Sequence, residues 1–291
     1  MASLKEVKTR INSVSSTRKI TSAMKLVASS KLHKAQAAIQ NMRPYQSRLN
    51  RIMTAFAGDI GDGVSSPFVD VRPVKKAVVV CLSSNSSLCG AFNANAIKQT
   101  LTVISDLRSH GVENVEVLPI GQKIADKMKK EGYSFQSSNA NILEHTHYSD
   151  VYNLSASLMQ RFREKEIDKV FIVYNHFKST SSQVVVTDQL LPVSLPTSGN
   201  DAESNSVSHD FIIEPSKEAL VEALIPNVLT LNLFTAILDS LAAEHSARVV
   251  AMQTATDNAD ELLHDLTLMY NKSRQAAITS ELLDIVGASF Q

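Results

Sequence analysis

Residues 4–56 read LKEVKTRINSVSSTRKITSAMKLVASSKLHKAQAAIQNMRPYQSRLNRIMTAF, and their spacing decides the fold. One set of positions seven apart runs Val7, Val14, Thr21, Ala28, Ala35, Met42, Leu49, Phe56. Its companion runs Leu4, Ile11, Arg18, Lys25, Leu32, Ile39, Gln46, Met53. Alternating steps of three and four over this length are the mark of a left-handed coiled coil, whose stripe needs a partner helix. At 1.5 Å per residue the helix is about 80 Å long, too long for the core of a compact domain. Pro44 removes one backbone hydrogen bond without disturbing the register, so a bend is expected there.

The other end of the chain carries the same rhythm. Beyond Pro215, with Ser216 as a candidate cap, the seam reads Leu231, Phe234, Leu238, Leu241, His245, Arg248, Met252, Ala255, Ala259, Leu262, Leu266, Met269, Ser273, Ala276, Ser280, Leu283. Small residues dominate its middle, which lets two axes approach closely. Pro226 is expected to break or kink the first turns.

The formal charge of zero hides an asymmetry. Residues 1–57 hold eleven Lys or Arg against Glu6 alone, whereas 216–291 hold four basic side chains against ten acidic ones. Opposite charges on two helices of one chain favour an intramolecular antiparallel pair.

Between the helices the pattern changes. The stretch 58–75 (GDIGDGVSSPFVDVRPVK) reads as a linker, and 76–215 as short β-branched runs alternating with helical segments. Strands are expected at Ala77–Ser83, Val115–Ile120, Lys169–Tyr174, Val184–Thr187 and Phe211–Ile213, and helices at about 92–108, 121–131 and 149–164. This alternation predicts a Rossmann-like α/β domain with a mostly parallel sheet and an antiparallel edge. The polar segment 197–209 reads as a surface loop. The expected organisation is therefore helix 1–57, linker 58–75, α/β domain 76–215 and helix 216–291.

Several kinds of chemistry lack their residues. With 44% apolar residues the chain still has no run approaching the roughly 20 needed to span a bilayer, so no direct membrane insertion is expected. The first twenty residues are basic and Ser-rich, as in a transit peptide, but they share the hydrophobic register of the residues after them. Cys81 and Cys89 are too few for a disulfide scaffold and read as buried thiols. The run Ser83–Gly90 follows an apolar strand at the end of the sheet where doubly wound folds bind ligands, yet it carries neither phosphate-loop nor dinucleotide glycines. No nucleotide or other cofactor is expected. Cys89 as a nucleophile requires a base such as His145 or His147 beside it in space. Those two histidines have no companion ligands, so no metal site is expected. The basic helix has no recognisable nucleic-acid fold around it, and no nucleic-acid partner is expected.

Five segments carry a family resemblance. Tyr270–Val286 (YNKSRQAAITSELLDIV), Ala247–Ala259 (ARVVAMQTATDNA), Thr17–Ala28 (TRKITSAMKLVA), Arg43-Pro44-Tyr45 and Leu88-Cys89-Gly90 resemble the gamma subunits of F-type ATP synthases. Two departures stand out. Ser86-Ser87 occupy the place where the family carries a charged residue, and one residue is missing between Asp284 and Gly287-Ala288.

The resemblance implies a non-catalytic central-stalk rotor, with the helical pair inside a ring of alternating alpha and beta subunits and the α/β domain on an epsilon-type subunit and a membrane c-ring. It implies beta-subunit contacts at Met24, Lys25, Arg274, Gln275, Thr279 and Glu281, with no catalytic residue. It also implies a peripheral location on the cytoplasmic face of a bacterial inner membrane or, alternatively, on the matrix side of the mitochondrial one. The seam residues expected to hold the coiled coil are Val7, Val14, Ala28, Met42, Leu49, Leu238, Leu241, Met252, Leu262, Leu266 and Met269. Two readings compete: a stand-alone α/β enzyme with helical oligomerisation arms, and a cytoskeletal-type coiled-coil adaptor.

Overall fold

A computed structural model describes residues 4–61, 66–193 and 217–289. The chain divides into two compact units: Met1–Ser30 with Arg248–Gln291, and Lys31–Ala247. Two long helices contribute to both, α1 (Leu4–Gly61) and α6 (Lys217–Ser289). α1 is continuous through Pro44 and extends to Gly61, taking in the first residues of the glycine-rich stretch 58–75. α6 is continuous through Pro226, where the Thr230 hydroxyl donates to the Pro226 carbonyl at 2.9 Å. Ser216, the expected cap, lies outside the described residues.

The larger unit is built on a four-stranded sheet of order β2-β1-β3-β4. Its strands are β1 (Lys76–Leu82), β2 (Asn114–Ile120), β3 (Lys169–Ser179) and β4 (Ser182–Leu191). β1 pairs parallel with both β2 and β3, and β3 turns back antiparallel onto β4. Every residue of β1 after Lys76 is buried, as a central parallel strand covered on both faces requires. The helices between strands are α2 (Phe92–Ser109), α3 (Gln122–Lys130), the single turn α4 (Asn141–Glu144) and α5 (Tyr148–Arg163). α4 is an element that no periodicity announced. The strand expected at Phe211–Ile213 and the loop 197–209 lie outside the described residues.

Alternation along the strands divides the core in two. Val78, Val80, Leu82, Val170 and Ile172 face α5 and α6, meeting Leu158, Phe162, Leu229 and Leu233 together with Leu49 and Met53 of α1. Ala77, Val79, Cys81, Val117 and Val173 face the opposite way, onto Ile104 of α2 and Ile124 and Met128 of α3. Each fully buried Val, Leu, Ile or Phe contributes roughly 1.5–3 kcal/mol, so these two layers hold the sheet. By length and composition alone α6 could cross a membrane, but its most apolar 18-residue stretch is 61% buried inside the fold.

Candidate partner-contact surfaces

At the carboxyl end of the parallel strands the chain fills its own crevice. Ser83 follows β1, and its Oγ accepts from the Ile124 amide at 2.9 Å. The Lys123 amide donates to the Ser84 carbonyl at 3.1 Å, and the Gln122 amide to Asn85 Oδ1 at 3.2 Å. Three amides at the start of α3, the groups that would cradle a phosphate, are therefore spent on the chain itself. Gly121 makes the approach possible: at φ +118° it sits where a Cβ would fall 2.5 Å from the Ser83 carbonyl oxygen.

Cys89 belongs to the same network. Asn93 Nδ2 donates to its Sγ at 3.1 Å, Ser84 Oγ lies 3.6 Å away, and the residue is 1% exposed. Those neighbours are neutral amide and hydroxyl groups, none of them able to act as a general base. Burial raises the Cys81 thiol far above its ordinary range. Both cysteines are free. Among the described residues no group of three His, Cys, Asp or Glu side chains is placed to hold a metal. His145 and His147 stack on each other with centroids 6.3 Å apart.

In the larger unit the stripe of α1 continues through Leu32, Met42 and Leu49, which are buried or half-buried, while Leu238 and Leu241 of α6 are buried in its core.

The smaller unit pairs the start of α1 with the end of α6. Its antiparallel register is fixed by three cross-helix contacts: Arg18 Nε with Asp260 Oδ1 at 2.8 Å, Thr21 Oγ1 with Thr256 Oγ1 at 2.8 Å, and Lys25 Nζ with Gln253 Oε1 at 2.5 Å. On α1 the stripe Val7, Val14, Thr21 and Ala28 is buried or half-buried, as are Leu4, Ile11 and Lys25. Met252 and Ala259 of α6 are buried and Leu266 half-buried.

Leu262 and Met269 depart from the expected seam. They are 53% and 46% exposed, while Leu263, Tyr270 and Ala277 take the half-buried positions. The cause is a step of four followed by another step of four, Arg248 to Met252 to Thr256, which shifts the stripe by one residue from there onward. Thr256, polar and therefore passed over in a search for apolar spacing, is the residue that carries the shift.

Arg274, Gln275, Thr279 and Glu281 are all exposed. The Thr279 hydroxyl donates to the Gln275 carbonyl at 2.9 Å. Around them Ile278, Leu282, Leu283 and Ile285 are 48–66% exposed. Carrying the register onward matches Leu4 with about Ser273, so this last stretch of α6 runs past the described start of α1. Met24 is half-buried beside Ile20 and Val27, which are 60% and 58% exposed, with Leu26 at 67%. These exposed apolar side chains of α1 sit among lysines, and heptad counting, which looks only for the buried stripe, did not single them out.

Comparison with known proteins agrees along the whole chain. A family model described as ATP synthase matches residues 3–289. The ATP synthase gamma chain of Bacteroides fragilis (strain ATCC 25285) is 54% identical over 290 residues, covering 99% of each chain. That of Phocaeicola vulgatus is 50% identical over 289 residues, again covering 99% of each. Among solved structures, a chain of the Euglena gracilis mitochondrial ATP synthase OSCP/F1/c-ring assembly superposes with a TM-score of 0.61 at 17% identity, covering 98% of this chain and 93% of that one. A chain of the Tetrahymena thermophila mitochondrial ATP synthase central stalk and c-ring gives 0.57 at 20% identity, covering 81% and 99%. At these identities the structures speak for the fold, and the bacterial relatives for the family: the chain belongs to the gamma chains of ATP synthase.

Proposed function

We propose that this chain is the central-stalk rotor of a bacterial F-type ATP synthase, coupling ion-driven rotation to ATP synthesis at alpha/beta catalytic sites while performing no chemistry itself. The observation that carries the reading is the last stretch of α6, where Arg274, Gln275, Thr279 and Glu281 stand exposed among Ile278, Leu282 and Leu283. A helix surface of this kind, polar groups set among large apolar ones, is built to be covered by other chains. A ring of alternating alpha and beta subunits is the partner that family membership supplies.

Coupling then follows from differential contact. A shaft whose sides differ favours a different conformation of each catalytic subunit at each angle, and nucleotide affinity changes with it. Arg274 and Gln275 contact a beta-subunit loop near the tip, with Thr279 and Glu281 beside them, and an arginine there makes charge-assisted bonds to a carboxylate. Met24 and Lys25 form the lower contact, where the exposed Ile20 and Val27 and the surplus positive charge of α1 meet acidic beta-subunit loops. In this reading the α/β domain meets the epsilon-type subunit and the c-ring on the cytoplasmic face of the inner membrane.

The reading is tested in vesicles bearing the complete complex assembled with and without this chain. Gradient-driven ATP synthesis that requires the chain supports it. Undiminished synthesis in its absence rules it out.

A further inference from the structure

From Met252 onward α6 carries two apolar stripes rather than one. Both use Met252, Ala259, Leu266 and Ser273. The observed seam completes the set with Thr256, Leu263, Tyr270 and Ala277; the uninterrupted heptad would complete it with Ala255, itself half-buried, and with Leu262, Met269 and Ala276, which are exposed. Neighbouring residues are about 100° apart around a helix, so exchanging the two sets needs a turn of α6 about its own axis of roughly 50°.

Apolar burial does not explain the choice. The observed setting leaves Leu262 and Met269 about half-exposed and gives seam positions to a threonine and a tyrosine. What favours it is polar. The Thr21–Thr256 hydroxyl contact sits at the residue where the stripe shifts, and one turn along the Lys25 ammonium meets the Gln253 amide oxygen. A turn of about 50° carries Thr256 away from Thr21 and swings Gln253 off Lys25. Polar groups at seam positions characteristically specify register at a cost in stability.

We propose that Thr21, Lys25, Gln253 and Thr256 form a key that selects one of two rotational settings of α6 against α1, and that without it the helix turns to bury Leu262 and Met269. The four are positioning residues. The key decides which side chains of α6 face outward, so the surface offered to a partner follows the setting.

Extending the register by one heptad places Val14 opposite Leu263. Paired cysteines in the full-length chain therefore read the setting, with the native Cys81 and Cys89 buried and out of reach. In the parent, Val14→Cys with Leu263→Cys closes a disulfide at least about tenfold faster than Val14→Cys with Leu262→Cys, because the bond tolerates little misalignment. In a background of Thr21→Ala, Lys25→Ala, Gln253→Ala and Thr256→Ala, with Asp260→Ala removing the remaining cross-helix pair to Arg18, the Leu262→Cys pair becomes the faster or comes within about threefold, given the same geometric limit. The conservative Thr21→Ser with Thr256→Ser retains the parental preference. An unchanged preference in the alanine background overturns the proposal. So does a fall of both rates together, the sign of helices that separate instead of turning, and so does a parent without the preference.

Discussion

Ser83 and Gly121 stand so close that a Cβ on Gly121 would lie 2.5 Å from the Ser83 carbonyl oxygen. The contact brings the start of α3 onto the end of β1 and lets Ser83, Ser84 and Asn85 occupy its amides. Gly121→Ala combines a left-handed backbone conformation with a backbone clash and is expected to destabilise the chain by about 2–4 kcal/mol. Denaturant unfolding of the full chain, followed by the signal of the α/β domain, measures it. A midpoint equal to the parent's would show that the two backbones are free to move apart.

Because those amides are engaged, the isolated chain is expected to bind no ATP at micromolar concentration. Calorimetric titration checks this, and a micromolar dissociation constant would contradict it. The same reasoning favours a rotor over the stand-alone enzyme, for which this crevice is the natural nucleotide site.

Asp168 is expected to make the larger unit acid-sensitive. Burial pushes its carboxyl up, but the Lys76 and Lys75 amides and the Arg72 guanidinium together hold it below the ordinary carboxylate value. A depressed folded pKa contributes stability that is present above the unfolded value of about 4 and is lost as pH falls through the folded value. Asp168→Asn should lower the melting temperature at pH 7 and flatten its decline below about pH 4. An equal decline in parent and variant would show that Asp168 does not carry the acid sensitivity.

Replacing Arg274 and Gln275 with alanine together should lower ATP turnover of the assembled complex while leaving its subunit composition and the helix pair intact. A lost bond of this type costs on the order of 1.5–3 kcal/mol at the angle where it forms. Turnover and ATP-driven ion pumping at the parental level would remove both residues from the coupling surface.

How much of this was legible in the sequence depends on the residue. The unbroken apolar run Ala77–Leu82 made β1 a buried central strand, and the stripe from Leu4 to Met53 made α1 one helix despite Pro44, because each pattern repeats without competition from a polar alternative. Sequence spacing failed at Leu262 and Met269 because two stripes share half their members there, and the choice rests on hydroxyl and amide contacts with α1 that a hydrophobic count does not register. It also passed over α4, a single turn too short for any period to show. The self-filled crevice was half visible: missing glycines argued against a nucleotide, but the occupation of the α3 amides by Ser83, Ser84 and Asn85 depends on the fold. The contacts at Arg274, Gln275 and Met24 came from family resemblance, and the structure adds their exposure and apolar surroundings.

Rotation is the most direct test of the central claim. With the alpha/beta ring fixed to a surface and a bead tethered to the α/β domain of this chain, ATP is expected to drive stepwise rotation in one direction at a rate that follows turnover. Steady ATP hydrolysis by the complex while the bead stays still would contradict the account.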